Sequence, residues 1–305
     1  MINLFVKTYG KLHNYNVVPY WVLTPFRRIV RTIANLVLPR YLSKTCNYRQ
    51  KEYTNIIVSF TSFPARINEV WQVVKCMKKQ SYRPSKIILW LSKKQFTNSH
   101  EIPLSLRNLE DNLFTIKFVD EDIRSHKKYY YVSQEYPESL ILLIDDDIYY
   151  PTDMIERLYK AYLKHPQSVI CQYGYFMGYN KAGKLLPYRL WKHVNKDSIN
   201  DSSLFFGSGG GTLFNPSLLY NDLLNKELFL ELSPKADDIW LNAMVKLANL
   251  PIYMLKPRLI LPIKCKGEKT TLCSENIRGG GNDIQLKRVI NYYINKIGIN
   301  PFEKK

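Results

Sequence analysis

Leu140-Ile141-Leu142-Leu143-Ile144-Asp145-Asp146-Asp147 is the stretch on which the fold turns. Five branched apolar residues between Pro137 and Pro151 are too few for a helix and right for a strand buried on both faces, the pattern of a parallel sheet. Three carboxylates then stand where that strand meets solvent, and open α/β sheets bind ligands at the carboxyl ends of such strands. Acids at a strand end can present oxygens to one Mg²⁺ or Mn²⁺, hard cations that prefer oxygen and share it with substrate phosphates. Read without its neighbours, the triplet serves equally well as a solvated acidic turn opening the next helix.

Outward from this strand the pattern alternates. Residues 55–60 (Asn-Ile-Ile-Val-Ser-Phe) read as a first strand and Thr61-Ser62-Phe63-Pro64-Ala65-Arg66 as the loop leaving it. A helix is predicted over 68–80, where Val70, Val73, Val74 and Met77 fall at i, i+3, i+4 and i+7. Strands follow at 86–91 and 114–119, the latter ending at Asp120-Glu121-Asp122, and a helix over 125–136 leads back to the triple aspartate. Strands alternating with helices over 55–165 predict an α/β fold with a parallel, doubly wound sheet. Asp153 and Glu156 have capping-box spacing at the start of the next helix. Beyond it, short strands at 168–176, 185–190 and 252–262 are separated by loops rich in Gly, Asn and Ser.

Composition sets the class. The chain has 305 residues, 46% hydrophobic and 23% charged, enough for a full core and against disorder. Its five cysteines (Cys46, Cys76, Cys171, Cys265, Cys273) form no CxxC pair, which argues against a disulfide framework and against zinc and fits a reducing, cytoplasmic setting. The net charge of +18 is unevenly placed: residues 1–50 hold eight Lys/Arg and no acid, residues 51–255 hold 25 against 22, and residues 256–305 hold 11 against four. From Pro25 to Leu38 apolar residues recur at helical spacing among Arg27, Arg28 and Arg31. Prolines and arginines interrupt this segment too often for a membrane span, and it starts too late for a secretory signal. A basic amphipathic helix of this kind lies on an anionic membrane surface, here the inner face of the cell membrane, or packs on the domain's own core with a solvated arginine face.

Two further stretches carry chemistry. Gly207-Ser208-Gly209-Gly210-Gly211-Thr212 has no Lys-Ser/Thr after it and so is no P-loop, yet its glycines permit close backbone approach to a ligand. A flexible surface turn is its plain alternative. Asp237-Asp238 opens a helix in which Trp240, Ala243, Met244 and Leu247 repeat at helical spacing; acids there commonly cap the helix and complement its dipole.

Taken in order, a Ser/Thr loop after the first strand, acids after the third, a triple aspartate after the fourth, a Gly-rich stretch and an Asp pair opening a helix resemble the GT-A glycosyltransferases. The similarity is to inverting bacterial enzymes that build capsule, O-antigen and other surface glycans, and it covers roughly residues 55–262. It implies a Rossmann-like, mostly parallel sheet flanked by helices with an irregular acceptor side, preceded by a basic arm (1–50) and followed by a basic lid and helix (263–305).

The resemblance also implies roles. Asp145 and Asp147 match the DxD motif that holds Mn²⁺ or Mg²⁺ on the diphosphate of a nucleotide sugar, a UDP-sugar above all, and Asp145 or Asp146 touches the ribose. Thr61, Ser62, Arg66, Asp120 and Asp122 match places that hold the nucleoside, Lys127 lies along the diphosphate, and Gly209 and Gly210 border the donor. The lysines at 127 and 128 equally suit a solvated helix start. Asp237 or Asp238 matches the general base, the other being the cap, with Asp238 slightly favoured. Tyr188, Arg189 and Trp191 are acceptor-side candidates, while His126 and His193 read as structural or acceptor-side. The chain departs from the family in reading Asp-Asp where Glu-Asp is usual, and its 264–283 stretch lacks the His that ligates metal in retaining relatives, which favours inversion. The acceptor implied is a saccharide or lipid-linked glycan.

Two other classes compete. A basic nucleic-acid-binding protein would use the charge and the 23 tyrosines, but the middle of the chain is close to neutral and a strand-end acid triplet repels phosphate. A nucleotidyltransferase shares the carboxylates but normally wants two metals and a more elaborate phosphate loop.

Overall fold

The computed structural model of the protein describes residues 1–12, 20–44, 52–199, 201–256, 260–265 and 280–304. Ile56–Thr61 (β1), Lys86–Ser92 (β2), Phe114–Val119 (β3) and Leu140–Ile144 (β4) form a parallel block in which β1 pairs with β4 and β2, and β2 with β3. Val169–Cys171 (β5), Ser198–Ile199 (β6), Gly210–Phe214 (β7) and Ile252–Met254 (β8) extend the sheet to eight strands in the order β6-β8-β5-β7-β4-β1-β2-β3. β7 runs antiparallel between β4 and β5, β8 is parallel to β5, and β6 is an antiparallel edge. The sheet is therefore mostly parallel and flanked by helices, the Rossmann-like arrangement expected.

The apolar runs are continuous because both faces of the sheet are covered. Ile56, Val58 and Phe60 of β1, Ile87, Leu89 and Leu91 of β2, and Leu140, Leu142 and Ile144 of β4 enter one core. The alternate residues Ile57, Ile88, Trp90, Ile141 and Leu143 enter the other. Onto the first face pack Ile2–Lys11 (α1), Tyr20–Ser43 (α2), Val70–Lys78 (α3) and, following the remaining elements in order, Met154–Lys164, labelled α5; the second face carries Lys127–Glu135 (α4), Asp237–Leu247 (α6) and Gly281–Ile297 (α7). Each fully buried large apolar side chain contributes about 1.5–3 kcal/mol, so these two layers dominate the stability.

Several elements differ from the sequence reading. The Gly-rich stretch is no surface turn: Gly210–Phe214 is a buried strand at the centre of the sheet. Residues 185–190 form no strand; Pro187 starts a 3₁₀ turn over Tyr188–Leu190. The 168–176 segment divides into β5 and Gly174–Phe176, which belongs to a separate three-stranded sheet with Lys192–His193 and Leu204–Phe206. Asp153 is the N-cap residue of α5 but makes no side-chain cap bond, and Glu156 instead accepts from Ser81 Oγ (2.7 Å) and pairs with Lys160. The arm helix is longer than 25–38, running through Pro25 and Pro39, and α1 precedes it. Most of the expected lid, residues 266–279, lies outside the described residues.

The arm joins the core. Ala34, Leu38 and Leu42 of α2 and Ile2 and Val6 of α1 are fully buried. Asn35 fixes α2 in place by donating to Pro262 O (3.1 Å) and accepting from Lys264 N (2.7 Å). Leu261–Pro262 is paired in turn with Ile148–Tyr149, the segment that follows the triple aspartate. No helix among the described residues is long and apolar enough to cross a membrane.

Candidate active site

β4 ends inside the sheet, so its three aspartates emerge among the ends of β1 and β7. They do not share one environment. Asp146 is buried, taking Ser62 Oγ on Oδ2 (2.5 Å) and Arg66 Nη1 on Oδ1 (2.8 Å). Burial raises its pKa, opposed by Arg66 and Ser62. The same Arg66 Nη1 lies 3.0 Å from Asp147 Oδ2, and its guanidinium stands over the Phe63 ring. Asp145 and Asp147 keep partly exposed carboxylates. The loop after β1 thus braces the triplet through Ser62 and Arg66, while Thr61 turns away to donate to Trp90 O (2.8 Å).

The glycines answer to the aspartates. A Cβ on Gly209 would lie 1.8 Å from Asp145 Cγ, and one on Gly210 would lie 2.3 Å from Tyr173 Cβ. Gly209 is thus the floor beneath the Asp145 carboxylate. Tyr150 closes the corner: its hydroxyl accepts from Asp145 N (2.7 Å) and donates to Gly209 O, while Asp145 N also donates to that carbonyl (3.1 Å).

The helix carrying Asp237 and Asp238 is brought to the same corner by Ser208. Its hydroxyl donates to Asp237 Oδ2 (2.6 Å) and its amide to Asp238 Oδ1 (2.8 Å). Asn242, one turn further along α6, bonds both Phe206 N and Phe206 O and donates to Asp238 O, locking the helix start onto the strand before the glycines. Neither aspartate is the cap: the N-cap residue is Ala236, with no side-chain cap bond.

Lys128 joins the two halves. Its Nζ lies 3.0 Å from Asp145 Oδ1 and 2.9 Å from Asp237 Oδ2. Burial alone would lower its pKa, but Asp145, Asp237 and Asp238 overturn that and raise it. Ser59, buried in β1, accepts from Trp90 Nε1 (2.9 Å) and donates to Lys128 O, which seats the lysine's helix on the sheet. Lys127, which the resemblance placed along a diphosphate, turns the other way to pair with Asp122, and Asp122 also caps Arg124 N (3.0 Å). Both lysines are buried, which removes the solvated helix start as their explanation. One helical residue is a rotation of about 100°, enough to send neighbours into different surroundings. Asp120 is exposed and paired with Lys93 (2.7 Å).

The electrostatics separate the aspartate pair. Burial pushes Asp237 up, but the Lys128 charge first, with the nearby His126 and the bonds from Ser208 and Lys128, overrides it and holds the carboxylate below the usual range. Burial and the Asp237 charge push the partly exposed Asp238 up to about 6. One group is a fixed anion; the other is poised to exchange a proton near neutrality.

The residues fit a divalent cation. Five carboxylates (Asp145, Asp146, Asp147, Asp237, Asp238) face two cations (Lys128, Arg66), a surplus of negative charge when all are ionised. Among the described residues no three His, Cys, Asp or Glu groups converge as a complete metal cage. The donors on offer are the partly exposed carboxylates of Asp145 and Asp147, and Mg²⁺ or Mn²⁺ take one or two carboxylates and complete their shell with phosphate oxygens and water.

Beside the glycines stands an aromatic wall. Tyr173 packs on Gly207 and Gly210, its hydroxyl 2.9 Å from that of Tyr175, and the exposed His193 ring lies 4.4 Å from Tyr175. Tyr188 and Trp191, expected on the acceptor side, are buried beneath it, whereas Arg189 is exposed. His126 is fully buried between Tyr129 and the carbonyl of Ser233 and stacks on Phe229, a structural place.

Lys128, Ser208, Tyr150 and Asn242 were not among the site residues expected from the sequence. Only Ser208 carried a signal, as the polar residue inside a glycine run.

No family model and no curated protein matches the chain. Among solved structures it is similar to the mannosyltransferase PcManGT from Pyrobaculum calidifontis in complex with GDP-Man and Mn²⁺, at 10% identity and TM-score 0.46, over 95% of this chain and 76% of that one. It is also similar to apo UDP-glucose pyrophosphorylase, at 11% identity and TM-score 0.36, over 81% of this chain and 99% of that one. At these values neither likeness bears on chemistry, and the site stands on its own geometry.

Proposed function

We propose that the protein transfers a sugar, with inversion, from a nucleoside diphosphate sugar, a UDP-sugar in the first instance, to a hydroxyl of a saccharide acceptor of a cell-surface glycan. The observation that carries this reading is that one ammonium group, Lys128 Nζ, bonds both Asp145 and Asp237. The strand-end carboxylates and the start of α6 therefore meet at one end of the sheet.

Asp145 and Asp147 are the residues that would hold the divalent metal, which when bound neutralises charge on the departing diphosphate. Arg66 and Ser62 keep Asp146 and Asp147 in place. Lys128 fixes Asp237, and Ser208 orients both members of the aspartate pair. Asp238 then takes the proton from the acceptor hydroxyl as its oxygen forms the bond to the anomeric carbon. The carbon–oxygen bond to the diphosphate breaks on the opposite side, its electron pair leaving with the phosphate. A carboxylate raised to about 6 is a stronger base than an ordinary aspartate and still ionised at neutral pH. The partly exposed rings of Tyr173 and Tyr175 offer the apolar faces on which a pyranose acceptor stacks.

The test is a thermal-shift panel of UDP, GDP, CMP and ATP, each with Mn²⁺ and with EDTA, followed by product analysis on the matching nucleotide sugar. Stabilisation by one nucleoside diphosphate only with metal, and its release as product when sugar is transferred, supports the reading. Release or consumption of pyrophosphate instead would assign nucleotidyl transfer. No shift with any nucleotide would remove the donor site.

A further inference from the structure

We infer that α1 and α2 form a surface that lies on an anionic lipid bilayer and holds the sheet end that carries the aspartates near it. α2 has two apolar faces. Val30, Ala34, Leu38 and Leu42, spaced by four, pack on the core. Phe26, Ile29, Ile33 and Leu36, spaced by three and four, form a second stripe that is exposed, and Trp21 at its start is 76% exposed. Met1 and Leu4 of α1 are exposed as well. Seven of the sixteen exposed large hydrophobic residues of the described chain fall within its first 36 positions, so the exposure is concentrated on these two helices.

The charge identifies the occupant. Residues 1–50 contain no acid, and Lys7, Lys11, Arg28, Arg31 and Arg40 are exposed around the stripe. An apolar stripe with an interfacial tryptophan, on helices that carry exposed cations and no acid of their own, matches acyl chains beneath anionic headgroups; a protein partner would demand no such uniform sign. α2 is not apolar enough to cross a bilayer, so the mode proposed is contact with its surface.

Short connections tie the two helices to the site. Asn3 of α1 accepts from Thr152 N (2.8 Å), and Asn35 of α2 bonds the backbone on both sides of Ile263, whose own amide donates to Asp147 O (2.7 Å). If the proposed sugar transfer holds, the acceptor at this interface is a saccharide carried on a lipid; lipid binding itself does not depend on that reading.

The experiment is co-sedimentation of the full chain with phosphatidylcholine vesicles, with and without phosphatidylglycerol, at low and high salt. Two double variants accompany it, Ile29→Ser with Ile33→Ser, and Arg28→Gln with Arg40→Gln, all at exposed positions. The wild-type protein should bind the anionic vesicles, and each double variant should bind at least about tenfold more weakly with an unchanged melting temperature. Salt should weaken the wild type more than the arginine variant. Nucleotide-induced thermal shifts should be equal in all three proteins, so a failure of lipid binding is separable from a failure of the donor site. Absence of binding to anionic vesicles at low salt, or equal binding by the variants, overturns the proposal. So does a concentration-dependent dimer that the isoleucine variant dissolves, which would give the stripe to a second copy.

Discussion

At the scale of single residues, the site is defined by what each carboxylate is paired with. Asp237 is held by a direct ion pair with Lys128 and by Ser208, whereas for Asp238 burial and the Asp237 charge outweigh the more distant Lys128 and the bonds from Ser208. Asp238→Asn should therefore lower kcat by about 10²–10⁴-fold while leaving nucleotide-induced stabilisation intact, measured by initial rates beside thermal shift. Because the base acts only when ionised, kcat/KM should rise with pH through about 6 and level off above it, and a profile flat from pH 5 to 7 would remove Asp238 from the role. Gly209 makes a separate prediction. A methyl group there would collide with the Asp145 carboxylate, so Gly209→Ala should weaken metal-dependent nucleotide binding by more than about tenfold, read by titration calorimetry.

At the scale of elements, helices place these residues through buried polar ties. His126, just ahead of α4, is neutral: Nδ1 accepts from Tyr129 and Nε2–H donates to Ser233 O. Burial lowers its pKa from 6.5 to about 4, opposed by Asp237. A depressed folded-state pKa means the stabilisation is complete above about pH 6.5 and is lost as pH falls through about 4, a loss of about 3 kcal/mol. Denaturant unfolding should show that slope, and His126→Gln should flatten it. α2 supplies a contrast between its two faces. Leu38→Ala, in the core, should destabilise by about 2–5 kcal/mol, whereas Ile33→Ala, on the exposed stripe, should stay within about 0.5 kcal/mol. Equal costs would mean that both faces are covered.

At the scale of the whole molecule, a surplus of carboxylates gathers at one sheet end while the cationic excess sits in the arm and the tail. Metal and nucleotide together should raise stability by about 2.7 kcal/mol at a hundredfold excess over Kd, and EDTA should abolish it. Much of this architecture was legible in the linear chain. The apolar runs at 56–61, 86–92 and 140–144 are strands because a run that is apolar on both faces has no stable place except between two covered faces, and the acids after 140–144 then fall where such sheets keep their ligands. The amphipathic helices were legible for the same reason, since periodicity records burial. What only the tertiary structure decided was which neighbour each polar side chain meets. Lys128 rather than Lys127 enters the site, Asp237 becomes the fixed anion and Asp238 the exchangeable one, and a glycine run reads as a central strand because Asp145 and Tyr173 occupy the space its side chains would need. Periodicity along a chain reports how often a residue is buried, but pairing and pKa depend on contacts between segments as far apart as Ser62 and Asp146 or Lys128 and Asp237, and those distances exist only once the sheet has closed.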